Sequence, residues 1–360
     1  MRLVFAIATL CRGGAQRMLA ELASRMTDRG HDVVVAMPRG AKVDFPLRAR
    51  LAWSQDTELR SADLPAGDVL LSNFYTLVPV VEEASRAGKG LHVRLALCYE
   101  PVFLPEQERS YRSYEATPRL LVLSRWQQEL MRLLHGVEAQ VVPIGISDDF
   151  RPLAGRRRNG RLRIGAVVRR PEGGYSWHRD QEHLLAACDE VRRRHPETSV
   201  WLICPPGELR TSRSLRALRG SWLDRLRGRA RFRFLTPRSD RELARIYSRL
   251  DVFVSSSTYD AGSLPGLEAM RCGATLVSVY AGGNADYCRP GENCLLSYRH
   301  EGRLAADLVR LAEDPELRRR LAAAGARDAA AWTWERSADA FEQAVAGFLD
   351  RSREPARGPG

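Results

Sequence analysis

The sequence predicts an α/β protein made of two doubly wound, Rossmann-like domains facing across a cleft. Three observations carry this. Short, continuously apolar runs alternate with helical segments along nearly the whole chain, the pattern of parallel sheets covered on both faces. The alternation breaks once, in the polar, glycine-bearing stretch "SDDFRPLAGRRRNGRLR", and then restarts. A chain of 360 residues also exceeds one ordinary core and suits two domains of roughly 150 residues each.

The elements follow in order. Residues 3–8 form an apolar strand that meets a Gly-Gly turn. Met18, Leu19, Leu22, Ala23 and Met26 then recur at helical spacing and close at Gly30. "HDVVVAMP", "DVLLSN", "VRLALCY" and "RLLVLS" are further buried strands. The last leads into the amphipathic "RWQQELMRLLHG", and "AQVVPIGI" is one more short strand. After the break, strands are expected at "LRIGAVV", "SVWLICP", "RFRFLT", "DVFVSS", "ATLVSV" and "NCLLS", with helices over 181–193, 240–248, 265–272 and 303–312. Two more helices, "DPELRRRLAAAGARDAAAW" and "WERSADAFEQAVAGFLD", precede a frayed tail, "RSREPARGPG". The expected division is 1–150 as the first domain, 151–162 as linker and 163–334 as the second domain. A helix over 335–350 packs back toward the first domain, and 351–360 is tail.

Composition narrows the function classes. The 44% hydrophobic and 28% charged content is that of a soluble globular protein. No run reaches the ~18 to 20 apolar residues of a membrane span, and "MRLVFAIATLCRGG" is a buried strand meeting a turn, not a signal peptide. Seven scattered cysteines without a CxxC pair suggest reduced thiols in a cytoplasmic protein. The net charge of +12 and pI near 9.8 fit either arginine spread over solvated helices or peripheral contact with an anionic membrane. No nucleic-acid signature is present. Lys42 and Lys89 are the only lysines and neither sits in a P-loop, which disfavours phosphate binding of that kind and Schiff-base chemistry.

In such sheets ligands sit beyond the carboxyl ends of strands, at helix N-termini. The segment "YDAGSLPGLEAMRCGATLVS" fits that place. Asp260 lies in the loop after a strand, and Pro265 suits the first turn of the next helix. Ser263, Leu264, Gly266 and Leu267 then offer backbone amides and a helix dipole to a diphosphate. Glu268, expected in that first turn, can accept from a ribose diol, and Asp260 can meet sugar hydroxyls. Taken singly, Glu268 complementing the dipole and Asp260 capping a turn would explain both acids. The neighbours shift the balance. "AGGNADYCRPGEN" brings Gly283 and Asp286 after another strand, and Gly13–Gly14 mark a strand–helix junction in the first half.

These segments together resemble glycosyltransferase family 4, the group 1 nucleotide-sugar-dependent transferases of GT-B fold, over nearly the whole chain. "GGAQRMLAELASRMTDRGHDVVV", "VLSRWQQELM" and "VVPIGISDDFRP" are similar to its first half. "SLPGLEAMRCGATLVS", "GGNADYCRPGENCLL" and "WTWERSADAF" are similar to its second. The resemblance places Asp260 and Glu268 on the family's pair of glutamates separated by seven intervening residues, and so implies a donor-sugar contact for Asp260 and a ribose contact for Glu268. It implies diphosphate contacts for Arg169 or Arg170, and for Arg179 where the family carries lysine. Where the family often has a histidine near the sugar, this chain has Tyr99 and Glu100. Glu100 is a candidate base or sugar contact, or a loop acid against a neighbouring arginine. "YEPVFLP" with "GNADYCRPGEN" is similar to a subset that includes rhamnosyl and deoxysugar transferases.

The expected function is therefore retaining transfer of a sugar from a nucleotide diphosphate sugar to a hydroxyl of a glycan, glycolipid or small-molecule acceptor. Asp260, Arg179 and Glu100 are the catalytic candidates. Glu268, Arg169, Arg170, Ser263, Leu264, Gly266, Leu267, Gly283 and Asp286 face the donor, and Gly13, Gly14 and Tyr99 the acceptor. No cofactor and no metal is expected, the histidines forming no ligand set and no DxD being present. An epimerase-like enzyme and a non-catalytic sugar-nucleotide-binding protein are the alternatives.

Overall fold

The computed structural model describes residues 1–153, 161–172, 176–219 and 231–353. Parts of the expected linker and tail lie outside these residues. The chain forms two compact units, Met1–Gly145 with Thr333–Gly360, and Ile146–Trp332.

In the first unit the order is β1 (Arg2–Ala6), α1 (Gly14–Asp28), β2 (Asp32–Met37), β3 (Arg50–Trp53), β4 (Val69–Ser72), α2 (Val78–Arg86), β5 (Leu91–Ala96), α3 (Gln107–Arg112), β6 (Leu120–Val122), α4 (Arg125–His135) and β7 (Gln140–Val141). Among the described residues these strands make one parallel sheet of order β3-β2-β1-β4-β5-β6-β7. Strands β1, β2 and β4 are buried nearly throughout, hence their unbroken apolar runs. The edge strand β3, "RLAW", is half-exposed and carries no such run, so periodicity alone gave no sign of it. Helix α4 starts where the Ser124 hydroxyl accepts the Gln127 amide and stops at left-handed Gly136.

The second unit runs β8 (Arg163–Val167), α5 (Gln181–Arg194), β9 (Ser199–Ile203), α6 (Pro206–Thr211), α7 (Arg213–Arg219), β10 (Arg233–Leu235), α8 (Asp240–Tyr247), β11 (Val252–Ser255), α9 (Leu264–Arg271), β12 (Thr275–Val279), β13 (Cys294–Ser297), α10 (Leu304–Glu313) and α11 (Pro315–Ala329). Its strands form a parallel sheet of order β10-β9-β8-β11-β12-β13. The order reverses between β8 and β11, and a doubly wound sheet opens a crevice at the carboxyl ends of such a pair. Ile164, Leu202, Val252, Leu184 and Leu308 belong to its core.

The last helix, α12 (Trp334–Arg353), belongs to the first unit. Phe341 stacks on Phe5 of β1 at 5.9 Å, and Arg29, just past α1, binds Asp339 at 2.6 Å and Glu342 at 2.7 Å. The helix runs three residues further than the 350 expected.

Candidate functional site

The site is best built from the loop after β11. Ser256 sends its hydroxyl to the carbonyls of Arg179 (2.6 Å) and Asp180 (3.0 Å), and Thr258 donates its amide to the His178 carbonyl at 2.8 Å. The run of hydroxyl residues after the strand thus seats the 177–179 turn that leads into α5. Arg179 is thereby aimed into a pocket shared with Ser257, Asp260, Ser263, Pro265 and Gly266, at the crevice between β8 and β11.

Two backbone strains flank this pocket. Asp180 (φ 42°) and Ser263 (φ 54°) are, among the described residues, the only non-glycine positions in the left-handed region. Asp180 is held by the Arg299 guanidinium. Ser263 is held from three sides. Its amide goes to Asp260 Oδ1 at 2.8 Å, its carbonyl takes the Tyr287 hydroxyl at 2.9 Å, and it precedes the first residue of α9. Asp260 Oδ1 also accepts the Gly262 amide at 3.3 Å. One oxygen of this carboxylate therefore shapes the loop, as the turn-capping reading foresaw, and Oδ2 has no hydrogen-bond partner among the described residues.

Electrostatics sharpen the picture. Burial pushes the Arg179 guanidinium down from its ordinary value, and the Asp260 carboxylate pulls it part of the way back. Its side chain has no hydrogen-bond or ion-pair partner among the described residues. The neighbouring His178 is held to about 4 by burial first and the Arg179 charge second, so it is neutral near pH 7. The amides of Leu264 and Gly266, in the first turn of α9, have no carbonyl of their own helix to donate to. A positive side chain and a helix N-terminus thus converge on one small space.

The remaining candidates fall into place as follows. Arg169 is taken by Glu208, which accepts its Nε at 2.8 Å and whose other oxygen accepts the Arg170 amide at 2.7 Å. The Arg170 side chain is exposed. Helix α9 starts at Leu264, so Glu268 is its fifth residue and lies one turn in, rather than in the first turn. It is only 8% exposed, beside Tyr247, and is not a wall of the pocket. Leu264 is half-buried and Leu267 fully buried. Gly283 gives its amide to the Asp260 carbonyl at 2.9 Å, so that donor is spent on joining two loops. Asp286 sits half-buried in the turn that follows, near Tyr280.

In the first unit, Gly13 caps α1 in extended conformation and Gly14 is exposed. The two other candidates there need correction. Glu100 is 2% exposed, paired with the fully buried Arg94, and accepts the Tyr75 amide at 3.0 Å. It is the loop acid against an arginine, not a free base: both its oxygens are occupied. Tyr99 is 5% exposed and packs against Tyr114 (5.4 Å) and His135 (5.8 Å), with its hydroxyl 3.2 Å from His135 Nε2. It is a packing residue in this structure. Sequence reasoning missed Tyr287 and Ser256. For Ser256 the signal was the hydroxyl run after β11, whereas nothing local marks Tyr287.

Two parallel-sheet α/β units, the second with the crevice so furnished, define the class first. The fold is GT-B. Sucrose-phosphate synthase from Thermosynechococcus elongatus superposes with a TM-score of 0.77 at 18% identity, over 98% of this chain and all of that one. Anabaena HepE in complex with UDP and glucose gives 0.73 at 17%, over 96% of this chain and all of the other. Residues 173–328 then match the family described as glycosyl transferases group 1. That match lies within the second unit. Among curated relatives it is 28% identical to a D-inositol 3-phosphate glycosyltransferase of Corynebacterium jeikeium (strain K411) over 66% of this chain, and spans 60% of that protein's length. Among the described residues no helix is long and apolar enough to cross a membrane, and no group of three His, Cys, Asp or Glu stands together as a metal site.

Proposed function

We propose that the chain transfers a sugar, with retention and without a metal ion, from a nucleotide diphosphate sugar to an acceptor hydroxyl. The acceptor class is a glycan, a glycolipid or a small polyol, part of it presented at an anionic membrane surface. The observation that carries the reading is Arg179, a half-buried guanidinium beside the start of α9 with no hydrogen-bond or ion-pair partner among the described residues. Withdrawing a charge from water without a paired counter-charge costs free energy, and a leaving diphosphate supplies the anion.

In this reading the barrier is charge separation, as the diphosphate departs and the anomeric carbon becomes cationic. Arg179 and the first-turn amides of α9 meet the growing negative charge, the electrostatic contribution that usually dominates. The positive charge a divalent cation would bring comes from guanidinium groups, with Arg169 or Arg170 as the second. Asp260 Oδ2 takes a sugar hydroxyl, and Glu268 the ribose. The departing phosphate accepts the acceptor's proton, so no protein nucleophile is needed. The HepE complex with UDP and glucose and the inositol-phosphate relative support a nucleotide-sugar donor and a polyol-like acceptor.

Turnover of the matching donor by Arg179→Ala is expected to fall about 100-fold in kcat/KM, with Arg179→Lys in between. Activity within about threefold of the parent in Arg179→Ala would remove the site. Proton NMR of the product reads retention directly, and reversible loss of activity in EDTA would overturn the metal-independent step.

A further inference from the structure

Several helices neutralise surface arginines with their own glutamates. On α2, α4 and α5, Arg86, Arg132 and Arg194 each meet a glutamate three or four residues earlier. Arg112 of α3 does so too. Helix α7, "RSLRALR", has no such acid. Arg213, Arg216 and Arg219 stand three apart, all exposed, with no acid on the helix. Arg210 at the end of α6 is likewise exposed. None of the four has an ion-pair partner among the described residues. Like charges three apart repel along a helix and destabilise it. The excess is regional, because between Leu209 and Arg249 the described acids are only Asp240 and Glu242. Helices α6 and α7 lie on the crossover from β9 to the edge strand β10, where Arg233 is exposed as well.

The patch is also tied to the site. Glu172, just after β8, accepts the Ser212 hydroxyl (2.7 Å) and the Ser214 amide (3.0 Å), and Glu208 of α6 holds Arg169. The Glu172 carboxyl is drawn down to about 2 by those donors, the Ser214 amide first, so the clasp persists at neutral pH.

We propose that the arginine face of α6 and α7 docks this protein on an anionic lipid surface. A cluster of like charge needs only a field of negative headgroups to relieve its self-repulsion, worth about 1 kcal/mol per arginine at such a surface. Among the described residues it shows no large exposed apolar or aromatic side chain. It therefore suits electrostatic adsorption rather than insertion, and its described residues offer no exposed ring on which a base could stack. This surface gives the membrane-borne acceptor of the proposed function its place, and rests on that reading for its purpose only.

The test is flotation of the full chain with phosphatidylcholine vesicles with and without phosphatidylglycerol, in rising salt, with no turnover read. Wild type is expected to float with anionic vesicles alone and to detach as salt rises. The variant R210Q/R213Q/R216Q/R219Q should lose about fivefold in partitioning per arginine removed. The lysine counterpart of that quadruple variant should keep most of it. A control, R86Q/R112Q/R132Q/R194Q, removes the same charge from paired sites and should lose much less. Equal losses in the two glutamine variants, no flotation of wild type at low salt, or tighter binding to duplex DNA than to vesicles at equal salt would each overturn the proposal. None of these results bears on Arg179 or on sugar transfer.

Discussion

The hydroxyl of Tyr287 donates to the carbonyl of Ser263 at 2.9 Å, across 24 residues of sequence. Ser263 is left-handed and Tyr287 is buried, so the strained start of α9 is pinned by a side chain from the loop after β12. Two loops at neighbouring strand ends are thereby made into one wall.

Tyr287→Phe keeps the ring and removes this donor. A stability loss of about 1 kcal/mol is expected from the lost hydrogen bond, read as a lower urea midpoint. Because the freed backbone is a pocket wall, UDP titrated into the variant should also bind more weakly than into the parent. Unchanged UDP affinity alongside the lost stability would separate the pin from the pocket.

Gly283 joins the same two loops, and its place admits no side chain. A Cβ there would stand 2.0 Å from the Ala261 carbonyl oxygen and 2.8 Å from that of Asp260. Both neighbours are backbone and cannot swing aside. Gly283→Ala is expected to destabilise the chain by several kcal/mol or to leave it insoluble, the range of severe overpacking. Gly291→Ala provides the contrast, since nothing lies within 4 Å of its Cβ position and only its φ of 79° is strained. A soluble Gly283→Ala with the parent's melting temperature would refute the close approach.

The Arg94–Glu100 pair leads to a prediction about stability rather than rate. Glu100→Gln leaves a buried guanidinium without its counter-charge, which costs on the order of 3 to 5 kcal/mol. Burial already pushes the Glu100 carboxyl up, with Arg94 opposing. Replacing both partners by apolar residues, as Arg94→Met with Glu100→Leu, should recover most of the loss. Should Glu100→Gln melt like the parent yet lose turnover, the residue returns to the catalytic set.

Stability should fall on acidification between about pH 6.5 and 4. His92 is 3% exposed and held to about 4, by burial first and by the Arg94 charge second. The unfolded chain takes up this proton below about 6.5 and the folded one does not, so the unfolded state binds more protons in that window and folding weakens as pH drops. The full effect is on the order of 3 kcal/mol. His92→Gln should flatten the dependence, measured as urea midpoints at pH 7 and pH 4.5. An unaltered slope in the variant would assign the titration elsewhere.

Much of this was legible before folding. The buried strands and longer helices could be read because a strand covered on both faces must be apolar throughout and an amphipathic helix repeats at its own period. Pro265 foretold a helix start because its ring fits the first turn, and the loop after β11 could be placed at the carboxyl end of the sheet because parallel strands all point one way. Edge strand β3 and the short helices α2, α3, α6 and α7 escaped. They are half-exposed or only two turns long, and leave little periodicity to see.

The sequence by itself determined two α/β units, the crevice at the strand ends, and a stock of arginines and acids near it. Only the tertiary structure decided which of those charges is free. Glu208 claims Arg169 from 39 residues away, Arg94 claims Glu100 from the strand that leads into its turn, and Arg179 is left without a partner among the described residues. The physical reason is range: backbone periodicity is written in adjacent residues, whereas the state of a charge depends on whatever the fold brings within a few ångströms of it.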